Sequence, residues 1–115
     1  MNRRALGTKY EEFAAACLQK RGYRILERNF RCRAGEIDLI ARDQGYLVFV
    51  EVKYRADAGC GSPLEAVDAR KQGRLLKAAR YYMMLHGYAE ETDCRFDVVA
   101  IRGDAFALVQ NAFGE

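Results

Sequence analysis

The chain has 115 residues, half of them hydrophobic and only one of them proline, and carries a net charge of +3. That length supports one domain, residues 1–115, with a core of its own, and the composition excludes a disordered chain. No run approaches the roughly 18 apolar residues of a membrane span, and MNRRALGTKYEEF lacks the apolar stretch of a signal peptide, so a cytoplasmic protein is expected.

From Leu6 to Arg21, Leu6, Tyr10, Phe13, Ala14, Cys17 and Leu18 recur at helical spacing, and Gly22 supplies a stop. Glu11 and Glu12 flank that stripe. Residues 23–33 mix apolar and basic side chains and predict a first strand. Residues 36–42 and 46–54 predict a hairpin. In RADAGCGSPLEA, Ser62 can cap a helix, Pro63 can open it, and Glu65 completes a capping box. That helix should carry Leu64, Val67, Leu75, Ala78, Ala79 and Tyr82 to about Leu85, with Gly87 after it. Residues 95–101 and 105–113 predict two last strands around a turn at Gly103-Asp104. The order α-β-β-β-α-β-β implies an α/β fold, one mixed sheet flanked by helices. There is no internal repeat, linker or low-complexity segment.

Cys17, Cys32, Cys60 and Cys94 are scattered without CxxC spacing, which predicts free thiols rather than a zinc site. His86, at the end of the second helix, reads as a surface or capping histidine. The charge is unevenly spread. Lys20, Arg21, Arg24, Arg28, Arg31 and Arg33 stand against the single acid Glu27, and Arg70, Lys71, Arg74, Lys77 and Arg80 stand against none. Either group alone reads as a solvated face; together they make a polyanion a plausible partner.

The hairpin holds the chemistry. Glu51 and Lys53 share one face of their strand, about 6.6 Å apart at ~3.3 Å per residue. With Gln44-Gly45 as the turn, paired residue numbers sum to 89, so Asp38 stands opposite Glu51. A four-residue turn, Asp43 to Tyr46, keeps that register. Opposed like charges destabilise a sheet. A hard divalent cation relieves the repulsion, and Mg²⁺ suits one or two carboxylates with phosphate. Lys53 beside it can orient or deprotonate a water, or stabilise charge on a phosphate. Glu11 offers a further acid. The competing reading is a cross-strand salt-bridge cluster at the rim of the sheet.

The pattern D-x12-E-x-K with an earlier helical glutamate resembles the PD-(D/E)XK nuclease superfamily, and its Holliday-junction resolvase branch in particular. Along GTKYEEFAAACL, GYRILERNFR, GEIDLIA, FVEVKYR, GSPLEAV and RFDVVAI, the chain is similar to the uncharacterised bacterial YraN-like family. Ile37 stands where the superfamily motif is named for a proline. The resemblance implies a restriction-endonuclease-like core of α-β-β-β-α-β order and active-site roles for Glu11, Asp38, Glu51 and Lys53. Asp38, Glu51 and Glu11 would hold Mg²⁺ or Mn²⁺, with the Val52 carbonyl. Arg55 and Lys71 fall where the family tends to carry charge. The implied activity is a metal-dependent DNA endonuclease acting on branched or structured DNA in repair or recombination. Its DNA-binding residues would be Arg28, Arg31, Arg33, Arg55, Arg70, Lys71, Arg74 and Lys77. The expected partners are DNA and, as a candidate, a second copy of the chain, with no membrane. The alternative is a nucleic-acid-binding or adaptor module working through a partner protein.

Overall fold

The computed structural model describes residues 3–54 and 67–113, with side chains from Lys9 onward. Helix α1 (Arg3–Lys20) leads into strands β1 (Arg24–Cys32), β2 (Gly35–Asp43) and β3 (Tyr46–Tyr54). Helix α2 (Ala69–Leu85) precedes β4 (Cys94–Arg102) and β5 (Ala105–Phe113). The strands lie in the order β1-β2-β3-β4-β5. Only β3 and β4 run parallel, and the connection through α2 is what a parallel pair needs. This is the α/β mixed sheet that the element order predicts, in the restriction-endonuclease-like arrangement that the resemblance implies.

The central strand is dry on both faces, with Leu47, Val48, Phe49 and Val50 all buried. On one face Ile40, Leu47, Phe49 and Val98 pack against Leu75, Ala78, Ala79 and Tyr82 of α2. On the other, Leu39, Val48, Val50 and Val99 pack against Ala14, Ala15 and Leu18 of α1. Truncating a wholly buried anchor such as Phe49 to alanine costs about 3–5 kcal/mol.

Local chemistry explains most boundaries. Gly22, at φ 97°, ends α1, and the Tyr23 N–H returns to the Leu18 carbonyl. Gln44 (φ 50°) and Gly45 (φ 87°) form the two-residue turn, and the β2–β3 pairs run from Leu39–Val50 to Asp43–Tyr46 in the expected register. Two expectations need correction. Phe13 is exposed and Ala15 is buried in its place, because α1 turns its small residues towards the sheet. The second helix begins at Ala69, since Val67 and Asp68 are not helical. Asp68 is extended and accepts the Lys71 N–H at 2.9 Å, a strong N-cap. The predicted capping group Ser62, Pro63 and Glu65 lies outside the described residues, as do Leu64, Arg55 and Cys60. Val67 is buried as expected, but ahead of the helix. His86 is the exposed C-cap residue of α2. Cys17, Cys32 and Cys94 are free.

At the end of the sheet where β4 begins, a buried polar network ties β2, β4 and β5 to the connection between α1 and β1. Asp97, wholly buried, accepts from the Tyr23 hydroxyl at 2.6 Å, Arg95 Nε at 3.1 Å and the Asn111 N–H at 3.0 Å. Arg95 Nη2 also reaches Asp43 at 2.6 Å. Burial alone would lower the Arg95 pKa, but Asp97 and Asp43 raise it. The β4–β5 register shifts here, and Asn111 takes a left-handed φ of 52°. Among the described residues, no helix is long and apolar enough to cross a membrane.

Candidate metal centre

The opposite end of the sheet gathers the charged residues that the sequence singles out. The β2–β3 ladder closes at Leu39–Val50, one step short of the Asp38–Glu51 level. There the Val52 N–H donates to Asp38 Oδ2 at 2.8 Å, so the side chain completes the ladder and is fixed by it. Glu51, 4% exposed, pairs with Lys53 Nζ at 3.1 Å and with the ammonium of Lys71. The Asp68 cap sets the first turn of α2, and that turn delivers Lys71 to the strand. Glu51 and Lys53 therefore share the face covered by α2, as strand alternation requires.

The electrostatics separate the two carboxyl groups. Burial, followed by the charge of Glu51, pushes Asp38 up to about 9. Burial would raise Glu51 too, but the hydrogen bond with Asp38 and the Lys71 and Lys53 ammonium groups bring it below its usual value. The pair thus shares one proton, held on Asp38 and offered to Glu51. Burial and the neighbouring Lys71 lower Lys53 in spite of Glu51. Burial opposes the Lys71 charge, yet its hydrogen bond to Glu51 raises its pKa.

Two further acids gather on Asp38 rather than on Glu51, which the two lysines occupy. Carboxylate oxygens of Glu11, Glu36 and Asp38 lie within 4.8 Å of one another. Glu11 Oε1 is buried without a hydrogen-bond partner, and burial raises the Glu11 pKa. Buried orphaned oxygens are rare and costly. Asn29 lies in register with Asp38, between the Arg28–Leu39 and Phe30–Ile37 pairs, at a left-handed φ of 54°. The donors are all oxygens, with one of them unpaired, and they fit a hard cation of the Mg²⁺ or Mn²⁺ kind. Glu36 escapes the sequence reading because it sits at an exposed strand position and pairs with Arg31 at 3.3 Å. Its carboxylate comes near Glu11 only once α1 crosses the sheet.

The basic residues divide into two groups. Arg70, Arg74 and Lys77 are exposed along α2, and a Cβ on Gly35 would stand 3.6 Å from the Arg74 Cβ, so this helix borders the carboxylates. Arg28, Arg31 and Arg33 are exposed on the β1 side. Lys71 stands apart from both, turned inward on Glu51. At the far end, a polar cavity of about 340 Å³ is lined by Arg21, Tyr23, Asp43, Arg95 and Gln110. Arg95 is already paired there with Asp43 and Asp97, and the network reads as structural.

Fold and site together define a restriction-endonuclease-like α/β protein with a carboxylate–lysine cluster at the end of its central strand. The chain belongs to the uncharacterised protein family UPF0102, whose profile matches residues 10–101 and so spans Glu11, Glu36, Asp38, Glu51, Lys53 and Lys71. It is 49% identical over 113 residues to a UPF0102 protein of Lachnoclostridium phytofermentans, covering 98% of this chain and 96% of that one. A UPF0102 protein of Stutzerimonas stutzeri is 47% identical over 111 residues, with 93% and 92% covered. One from Pectobacterium carotovorum is 46% identical over 114 residues, with 98% and 97% covered.

Proposed function

We propose that this protein is a Mg²⁺- or Mn²⁺-dependent DNA endonuclease of the PD-(D/E)XK type. The observation that carries the reading is the fixed, opposed pair Asp38–Glu51, with a lysine on Glu51 and the carboxylate of Glu11, one oxygen of which is orphaned, within 4.8 Å of Asp38. A cluster kept for stability has no use for two carboxylates that must share a proton, since breaking even costs desolvation. Asp38, Glu51, Glu11 and Glu36 would hold the cation, with the Val52 carbonyl. When bound, the cation supplies positive charge and Lewis acidity to the phosphodiester.

The chain's own residues supply the rest. The water oxygen bonds to phosphorus as the bond from phosphorus to one deoxyribose oxygen breaks; a proton of the water passes to the deprotonated form of Lys53, and the departing oxygen takes a proton from solvent water. A lysine held below its usual pKa is suited to that transfer. Lys71 neutralises Glu51 and lies where it can turn to a phosphate oxygen. Arg70, Arg74 and Lys77 track the phosphate backbone. The test is single-turnover cleavage of branched, flapped and linear DNA with Mg²⁺, Mn²⁺ or EDTA. Lys53→Ala should slow cleavage by on the order of 10²–10³ while leaving DNA affinity nearly unchanged. Normal cleavage by that variant removes Lys53 from the chemistry. A wild type that binds DNA and cuts nothing on the panel leaves the adaptor role.

A further inference from the structure

The rings of Tyr10 and Tyr54 stack with centroids 4.0 Å apart and an angle of 18° between their planes. Tyr54 directly follows Lys53, and Tyr10 directly precedes Glu11. Deeper on the same face of the sheet, Val48, Val50, Val99 and Ile101 are wholly buried. Tyr54 keeps 40% of its surface open although one ring face is covered by Tyr10. The chain does bury other tyrosines, since Tyr23 and Tyr82 are 4% and 3% exposed. Tyr46 and Tyr81 are about as open as Tyr54, but Tyr46 sits at the far end of β3 under the Arg95 guanidinium, and Tyr81 leans on Phe30. Phe13 is also exposed, on α1 two residues beyond Glu11, but among the described residues the Tyr10–Tyr54 pair is the stacked one that adjoins Glu11 in the chain.

We infer that the Tyr10–Tyr54 pair is a stacking platform for an unpaired nucleobase beside the scissile phosphate. The substrate class is then DNA with a junction between single strand and duplex, such as a flap or a splayed arm. This rests on the nuclease reading and narrows it. Within a paired duplex both faces of each base are covered, and an aromatic ring can stack only on a base that has left the helix. Aromatic platforms beside a cationic backbone track are the general solution for single strands, because every base offers a π-face. Here the exposed basic residues of α2 and β1 supply the backbone track, and the platform lies on the α1 side of β3, opposite Lys53, where Tyr10 adjoins Glu11 of the acid cluster. A fully paired four-way junction offers no such base and should be a poorer ligand.

The experiment places 2-aminopurine at the first unpaired position of a splayed-arm DNA and, as controls, within a linear duplex and a fully paired four-way junction. Fluorescence titrations in EDTA use the wild-type chain, Tyr54→Ala, Tyr54→Leu and Tyr54→Phe, each checked for an unchanged thermal midpoint. The wild type should quench the splayed-arm label and leave the duplex label bright. Tyr54→Ala, or Tyr54→Leu if the smaller residue unfolds the chain, should lose the quench and bind the splayed arm roughly ten- to a hundredfold more weakly, with duplex affinity unchanged. Tyr54→Phe keeps the ring and should keep both properties. Quenching that survives Tyr54→Leu, or equal losses on duplex and splayed DNA, overturns the platform while leaving the nuclease reading intact. A wild type that neither binds nor cuts any DNA overturns both.

Discussion

Replacing Asp38 by asparagine should stabilise the metal-free protein. The side chain is held beside Glu51 with its pKa raised to about 9 from an ordinary 3.8, chiefly by burial. Its sign follows from linkage. A carboxyl whose folded pKa is raised binds its proton more tightly in the native state, so stability is fullest below about pH 4 and declines as pH rises towards about 9. At ~1.4 kcal/mol per pH unit, the decline reaches up to about 4 kcal/mol by pH 7, reduced where Glu51 takes up part of the load. Asparagine keeps the geometry. Its oxygen can accept the Val52 N–H, and its amide can donate to Glu51 as the protonated acid does. It carries no charge to desolvate. Urea unfolding at pH 5, 7 and 9 in EDTA should show wild-type stability falling across the series and a nearly level Asp38→Asn variant, more stable by about 1–4 kcal/mol at pH 8. Mg²⁺ should narrow the gap, and reverse it where the gap is under about 2.7 kcal/mol. It stabilises the wild type by about 2.7 kcal/mol at a hundredfold excess over its Kd, and the variant little. An asparagine variant less stable than the wild type at pH 8 in EDTA, or one with the same pH slope, refutes the argument.

At the other end of the sheet, Asp97→Ala removes the acceptor of Arg95 Nε, the Tyr23 hydroxyl and the Asn111 N–H together, though Arg95 keeps Asp43. It should cost about 3–5 kcal/mol in urea unfolding, and a loss under 1 kcal/mol would mean that water replaces the carboxylate. Changing Arg70, Arg74 and Lys77 to alanine should flatten the log–log salt dependence of DNA binding by up to about three units, if each meets one phosphate. An unchanged slope would turn this face of α2 away from DNA.

Much of this arrangement is legible in the chain because it rests on short-range rules. Gln44-Gly45 sets a two-residue turn, the turn sets the register, and the register brings Asp38 to Glu51. The unbroken apolar run from Leu47 to Val50 marks the central strand, and Gly103-Asp104 marks the last hairpin. What escapes is long-range. Lys71 reads as one more basic residue on a helix, yet that helix crosses back over the sheet and sets it on Glu51. Glu36 occupies a position that alternation assigns to solvent. Asp97 looks like an ordinary polar residue in a strand, and nothing local announces that Tyr23 and Arg95 will close over it. The helix start is missed for another reason. Ser62-Pro63 carries every local sign of a cap, while Asp68, a residue type equally able to cap, lies inside the apolar pattern that seemed to need no interruption.

The left-handed asparagines have a consequence for how copies of the chain meet one another. Asn29 lies in β1 and Asn111 in β5, the two outermost strands, and the register shifts once along each of those pairings. An outer strand with a straight row of free N–H and C=O groups invites another chain to extend the sheet, the route to aggregates and fibres. Here each margin carries one register shift and one left-handed residue, which coincide at Asn111 in β5, while in β1 the shift lies at Ile25–Glu27, ahead of Asn29. Those irregularities interrupt the straight row of free backbone groups that strand addition at either margin would need.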